Sequence, residues 1–227
     1  MTARNLRNDG FDEARGAMLE GIAAHARQCA EETGRAEISA RVRAALLRAP
    51  RHLFVPETLQ KVAYADAPLP IGSGKTISQP FMVAIATEVL DIEEDDKVLE
   101  IGAGLGYQAA VLAELTDHVY TVEILTELAE EAKRRLAYAG YDKVRVRTGD
   151  GARGWPEVAP IDKILISVAV KTVPKALLEQ LKPGGRMIVP VGEPDAQMLQ
   201  LIEKQPDGRT KERALFPVRY STLSVTH

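Results

Sequence analysis

The segment Val98-Leu99-Glu100-Ile101-Gly102-Ala103-Gly104-Leu105-Gly106 passes from a short apolar run into alternating glycines, and then into the helix-forming Tyr107-Gln108-Ala109-Ala110. A buried strand, a tight turn and a helix in that order make the ligand crevice of an open α/β sheet. Glycine at 102, 104 and 106 lets the backbone come closer to a ligand than a Cβ would permit. Taken alone, the run leaves open a plain strand-to-helix turn with no ligand.

The rest of the chain fits an α/β architecture. Short apolar segments at residues 97–101, 118–122, 144–148, 163–167 and 186–191 read as strands. Helical stretches at 80–90, 107–115, 125–139 and 174–181 alternate with them, as in βαβ units. Gly140 closes one of these helices and Pro183-Gly184-Gly185 another, the usual helix punctuation. Residues 197–204 and 213–223 flank Pro206-Asp207-Gly208 and predict an antiparallel hairpin at one edge. Residues 11–49 are helical in spacing, with a break at Glu31-Glu32-Thr33-Gly34. Residues 51–78, rich in Pro and Gly, predict a long connection over the core, and connections of that length are usually functional. The expectation is one domain over residues 1–227. It comprises a helical extension (1–50), an acceptor-side loop region (51–80) and an α/β core (81–227).

Charge selects the nucleotide. Glu123 ends the strand after the glycine turn, about twenty residues on, where a carboxylate accepts hydrogen bonds from ribose hydroxyls. Gly149-Asp150-Gly151 brings a further acid to the same edge, where an adenine should lie, although Asp between glycines is also a common turn. Glu100, two residues before the first glycine, would repel a pyrophosphate but suits the ammonium and sulfonium groups of S-adenosylmethionine. The glycine spacing also departs from the Gly-x-Gly-x-x-Gly of nicotinamide enzymes, so S-adenosylmethionine ranks above NAD. Gly74-Lys75-Thr76 imitates the end of a phosphate loop, but Leu69 stands where that motif needs its first glycine.

A net charge of −3 gives no electrostatic pull towards nucleic acid or an acidic membrane. Cys29 is the single cysteine, which excludes an internal disulfide and favours a reducing compartment. The N-terminus is polar and of mixed charge, and no stretch approaches the length of a membrane span, so a cytoplasmic location is expected. His52 reads as a packing or loop residue, and His25, His118 and His227 show no metal-ligand spacing. No metal is expected.

On the acceptor side, Pro68 to Pro80 ends in Thr76-Ile77-Ser78-Gln79-Pro80 at a helix N-terminus, where free N–H groups can hold an anion. Ser78 has a bland alternative, simple capping of the helix that begins near Pro80.

Arg51-His52-Leu53-Phe54-Val55-Pro56, the Thr76–Pro80 run, the segment Glu100 to Ala110, Gly149-Asp150-Gly151 with Trp155-Pro156, and Leu178 to Gly185 occur in one order between Arg51 and Val191. Together they resemble the protein-L-isoaspartate (D-aspartate) O-methyltransferase family. The Thr-Ile-Ser-Gln-Pro run carries most of the specificity, since the glycine motif is shared by many methyltransferases. The resemblance implies a doubly wound, mostly parallel sheet of the S-adenosylmethionine-dependent methyltransferase type, with N-terminal helices and a C-terminal antiparallel hairpin. It also implies methylation of the α-carboxylate of L-isoaspartyl residues in damaged proteins or peptides. Spontaneous succinimide formation then lets the backbone revert towards aspartate. Ser78 becomes the hydroxyl that positions the carboxylate, and Thr76, Ile77, Gly102, Gly104, Glu123, Asp150 and Gly151 match cofactor-contacting positions.

The chemistry requires no general base, because a carboxylate is already ionised near neutral pH and the leaving group is a neutral thioether. Alignment of the reacting atoms is the main device. Three positions depart from the family pattern. Lys75 replaces the usual Gln, Ser167-Val168-Ala169-Val170 replaces a more alanine-rich strand end, and Ser221-Thr222-Leu223 lacks the proline of Val-Pro-Leu. They bear on the acceptor more than on the cofactor. The alternatives are a relative that methylates one aspartate in a natural-product precursor, and a non-catalytic S-adenosylmethionine-binding adaptor.

Overall fold

The computed structural model describes residues 10–223, so the first nine residues and His227 lie outside the described residues. The helices are α1 (Asp12–Gln28), α2 (Ala30–Thr33), α3 (Ala40–Arg48), α4 (Pro80–Leu90), α5 (Tyr107–Ala113), α6 (Thr126–Tyr138) and α7 (Lys175–Gln180). The strands are β1 (Leu69–Gly72), β2 (Lys75–Ile77), β3 (Val98–Ile101), β4 (Val119–Glu123), β5 (Arg145–Thr148), β6 (Ile161–Ile166), β7 (Leu181–Glu193), β8 (Ala196–Lys204) and β9 (Thr210–Val218).

Seven strands form one sheet in the order β5-β4-β3-β6-β7-β8-β9. The pairs from β5 through β7 are parallel, and β8 and β9 complete an antiparallel meander. The chain therefore steps from β3 outward to β4 and β5, then returns to the other side of β3 with β6. Strand order reverses at β3, and in open α/β sheets that switch point opens a crevice beyond the strands' carboxyl ends.

All four residues of β3 are buried, as expected of a central strand covered on both faces. Alternation sends Leu99 and Ile101 into the core with Val122, Ile164, Ile166, Met187 and Val189. Val98 belongs to the opposite core, with Ile85, Leu112, Leu165 and Ile188. Glu100 shares the Val98 side by the same period, which places a carboxyl where only apolar groups would otherwise be found. Strand β5 is half-exposed throughout, in keeping with its edge position.

Four expectations are corrected. The N-terminal break falls at Gly34, which takes a left-handed conformation (φ 69°), whereas Glu31, Glu32 and Thr33 continue as the short helix α2. Residues 51–78 are not an unstructured connection. They hold 3-10 turns at Arg51–Phe54 and Glu57–Val62, followed by the β1–β2 hairpin. At the C-terminus the hairpin continues the main sheet through β7. Its last strand stops at Val218, which leaves Arg219 to Leu223 to fold back over the strand ends. Helix α7 ends at Gln180 and runs straight into β7, before the Pro183-Gly184-Gly185 expected to close it.

Candidate active site

Beyond the carboxyl ends of β3, β4 and β6 lies a cavity of about 650 Å³. Gly102, Gly104, Val122, Glu123 and Gly151 line its sheet side. Thr76, Ser78 and Lys75 come from the hairpin side, Ser167 and Val168 from the end of β6, and Arg219 to Leu223 from the returning C-terminal segment. The size is that of a nucleoside-scale ligand site.

The glycine turn is shaped by backbone conformation. Gly102 and Gly104 have φ of 94° and 54°, a region that side-chain-bearing residues rarely adopt. A Cβ on Gly102 would sit 3.2 Å from Val168 Cγ1, and one on Gly104 3.1 Å from Ile71 Cδ1. Gly106 does not line the cavity. It precedes α5, and a Cβ there would meet Leu136 at 3.0 Å, so its smallness serves packing of α6 against the turn.

Glu123 Oε2 accepts from Gly104 N–H at 2.9 Å and Oε1 from Leu125 N–H at 3.1 Å. The carboxylate is thereby fixed at the strand end, and each oxygen keeps a lone pair for a further donor. Asp150 is not among the residues that line the cavity. Its Oδ1 accepts from Ala152 N–H at 2.9 Å, and its neighbour Gly151, not Asp150 itself, reaches the lining. The turn reading of Asp150 is thus part of the structure.

Glu100 differs from its expected role as a simple negative neighbour. It is fully buried, and Thr121 Oγ1 donates to its Oε2 at 2.7 Å while Oε1 has no partner. Desolvation pushes its pKa up to about 8; the Thr121 hydrogen bond opposes this and the Glu123 charge adds to it. It lines a small pocket adjoining the main cavity, together with Ile77, Thr76, Ser78, Gly102 and Gly104.

The alternative that Ser78 merely caps α4 does not match the geometry. The residue before α4 is Gln79, and no side chain at that position caps the helix. Asp66 does so from a distance: its Oδ1 accepts from Phe81 N–H at 3.1 Å, and its Oδ2 accepts from Gln79 Nε2 at 3.1 Å. His25 of α1 pairs with the same carboxylate at 2.7 Å. With capping done by Asp66, the Ser78 side chain belongs to the cavity. Its carbonyl accepts from Arg51 Nη2 at 2.7 Å, and Arg51 itself is fully buried with its guanidinium 4.7 Å from the Tyr107 ring centre.

Three contributors carried no local signal. Asp66 acts fifteen residues ahead of the amide it caps. Arg51 opens the Arg51–Pro56 motif, but its burial behind Ser78 is a tertiary fact. Tyr220 enters the cavity only because the chain turns back after β9. His52 is a packing residue as read: its ring stacks on Phe11 with centroids 4.3 Å apart, and Nδ1 lies 2.9 Å from the Tyr64 hydroxyl.

Comparison with known proteins gives a consistent picture. Residues 28–227 match the family described as protein-L-isoaspartate(D-aspartate) O-methyltransferase. The chain is 48% identical over 97% of its length to protein-L-isoaspartate O-methyltransferase 2 of Syntrophobacter fumaroxidans, covering 90% of that protein. It is 52% identical over 88% of its length to protein-L-isoaspartate O-methyltransferase 1 of Nitrosospira multiformis, covering 86% of it. Among solved structures, a protein-L-isoaspartate O-methyltransferase aligns with TM-score 0.76 at 29% identity, over 90% of this chain and 65% of that one. A putative Plasmodium falciparum enzyme of the same description, in complex with S-adenosyl-L-homocysteine, has the same fold: TM-score 0.79 at 19% identity, over 92% of this chain and 98% of that one.

Proposed function

Because the chain belongs to the protein-L-isoaspartate(D-aspartate) O-methyltransferase family, we propose that it methylates the α-carboxylate of L-isoaspartyl residues in damaged proteins and peptides, with S-adenosylmethionine as donor. The observation that carries this reading is the meeting of two half-sites in one cavity. Ser78, released from capping by Asp66, faces the glycine turn and Glu123 across a shared space.

The residues present fit the cofactor. The turn at Gly102 and Gly104 is a cradle that Cβ atoms would crowd, and the unpartnered Oε1 of buried Glu100 lies beside it. Among the described residues, the charged side chains lining the cavity are Lys75, Glu123 and Arg219, with no cation on the sheet side to neutralise a pyrophosphate. An acidic floor of this kind suits a cationic, phosphate-free nucleoside. In this reading Gly102 and Gly104 face it through their backbone, and Glu123 accepts from its ribose hydroxyls. Glu100 offsets its ammonium, while Thr76, Ile77 and Gly151 close the sides. Asp150 contributes by holding the turn at Gly151, and Gly106 by packing. When bound, the cofactor supplies an electrophilic methyl whose carbon–sulfur bond breaks onto sulfur as the carboxylate oxygen forms the new bond.

The protein's own part is orientation and exclusion of water. Ser78 donates to the acceptor carboxylate, which enters already ionised, so no side chain has to remove a proton. Isoaspartyl-containing proteins and peptides are the partners. The same proposal treats residues 1–227 as one methyltransferase domain, in which residues 1–50 extend the core, and places it in the cytoplasm, where a single cysteine stays reduced. Among the described residues no helix is long and apolar enough to cross a membrane.

The test is transfer of labelled methyl to an isoaspartyl peptide and to its normal aspartyl twin. Label in the isoaspartyl peptide alone supports the assignment. No label in either, from protein that binds S-adenosylhomocysteine, overturns it. Ser78→Ala should lower kcat/KM about ten- to a hundredfold while leaving S-adenosylhomocysteine affinity within about twofold.

A further inference from the structure

The C-terminal return segment is anchored with more care than a surface tail requires. Gln197 of β8 is 4% exposed, and it grips both polar groups of one peptide residue: Tyr220 N–H donates to its Oε1 at 2.6 Å, and its Nε2 donates to Tyr220 C=O at 3.0 Å. Just beyond, Ala169 N–H donates to Ser221 C=O at 2.8 Å and Leu223 N–H to Ala169 C=O at 2.7 Å. The segment is thus fixed on both sides of Tyr220, although Arg219, Ser221 and Thr222 are exposed. Burying an amide is worthwhile only where both its ends are satisfied, and here both serve to orient a single residue.

What is oriented is a phenol. Tyr220 is half-buried as a residue, and it lines the same cavity as Ser78, near enough for the Ser78 hydroxyl to bear on the ionisation of the phenol. Burial raises its pKa far above the usual phenol range, with only the Ser78 hydroxyl opposing, so the group remains an O–H donor at any working pH. Both hydroxyls belong to residues that border the space an acceptor would enter. Each can rotate to donate when a carboxylate with free lone pairs arrives.

We infer that Tyr220 is a second acceptor-binding residue, lining the same cavity as Ser78 so that the substrate carboxylate is held by two neutral O–H donors. The inference rests on the isoaspartyl reading given above. Neutral donors suit this acceptor, because the carboxylate loses its charge as it becomes an ester. A cation bound directly to it would stabilise the starting state more than the transition state. The buried guanidinium of Arg51 is kept from that role by its bonds to the carbonyls of Ser78 and Ala63.

Tyr220→Phe keeps the ring and removes the donor. Steady-state kinetics with an isoaspartyl peptide should show KM raised about tenfold or more, with a smaller change in kcat and unchanged S-adenosylhomocysteine affinity by calorimetry. In a cycle with Ser78→Ala, the two losses should be non-additive, as for groups sharing one ligand. A second readout compares inhibition by the isoaspartyl peptide's carboxamide analogue. The wild-type preference for carboxylate should shrink in Tyr220→Phe, whereas a loss of packing alone would leave that ratio unchanged. Kinetics and carboxylate preference equal to wild type would overturn the role of Tyr220 while leaving the isoaspartyl assignment standing. If the wild-type chain itself fails to methylate the peptide, the assignment fails first.

Discussion

Arg51 Nη2 donates to the backbone carbonyl of Ser78 at 2.7 Å, and Arg51 Nε donates to Ala63 C=O at the same distance. One buried guanidinium therefore ties the 3-10 turn that contains it to Ser78, the residue proposed to face the acceptor. A planar fork can serve two carbonyls in fixed directions, which a lysine ammonium cannot reproduce. Arg51→Lys is expected to leave one buried carbonyl unsatisfied, at about 1–3 kcal/mol. Thermal unfolding should show the loss, and kinetics should show acceptor KM rising more than cofactor affinity falls. Equal damage to both affinities would indicate that Arg51 supports the fold without any particular link to Ser78.

The two glycines flanking Asp150 make a matched pair. A Cβ on Gly149 meets nothing within 4 Å, whereas one on Gly151 would overlap Ile101 Cγ2 at the end of β3. Gly149→Ala should change stability by no more than about 0.5 kcal/mol. Gly151→Ala should cost about 1–3 kcal/mol through overpacking. For a chain of this size that is a fall of several degrees in unfolding temperature, roughly 2–4 °C per kcal/mol, together with weaker S-adenosylhomocysteine binding. Calorimetric scans of the two variants side by side check this, and similar losses in both would remove the packing explanation.

How much of this was legible in the sequence follows from the range of each interaction. Strand β3 and its glycine turn could be read because a central strand is apolar on both faces and the turn demands positive φ. Strands β3 to β6 and β8 were expected within about two residues of where they lie. Strand β7 was expected only from Arg186, because Pro183 and Gly184 read as a helix stop, but it begins at Leu181, and β9 was expected at residues 213–223 but runs from Thr210 to Val218. The β1–β2 hairpin escaped notice because its strands are only three and four residues long, with Pro70, Gly72 and Gly74 interrupting any period. Ser78 could be picked out from its motif, but its release from capping depends on Asp66. The position of Tyr220 depends on Gln197, twenty-three residues away. Contacts of that range leave no local periodicity to read.

Lys75 and Arg219 both line the cavity, and neither forms an ion pair among the described residues. Glu123, the acid in the same lining, is engaged with backbone N–H groups. The approach to Ser78 is therefore cationic, and acceptors with an acidic residue next to the isoaspartyl site should be favoured. The Lys75→Gln variant should raise KM for such peptides about two- to fivefold, with less effect on peptides with basic flanks. Added salt should weaken the wild-type preference, since exposed charges are screened within about 8–10 Å at physiological ionic strength. Peptides of identical sequence apart from the flanking residue measure this, and a preference independent of both Lys75 and salt would refute it.

Glu100 makes the site sensitive to pH in a direction fixed by its environment. Its folded pKa of about 8 lies above the ordinary value of 4.5, chiefly because burial penalises the charge. Between those values the folded protein retains a proton that the unfolded chain releases. This residue's contribution to stability is therefore fully present below about 4.5, declines as pH rises through the window, and is lost above about 8. Glu100→Gln keeps an acceptor for Thr121 but has no proton to lose, so its unfolding temperature should gain on wild type between pH 5 and 9. An ammonium bound beside Oε1 reverses the preference, because an opposite charge favours the carboxylate. Binding of S-adenosylhomocysteine to the wild type should therefore tighten from pH 6 to 8 and expel a proton. Calorimetry in two buffers of different ionisation enthalpy would detect that proton, and Glu100→Gln should release none. Parallel pH curves for the two proteins would mean that Glu100 does not titrate in response to the ligand, and that the charge balance of the crevice is set by Glu123.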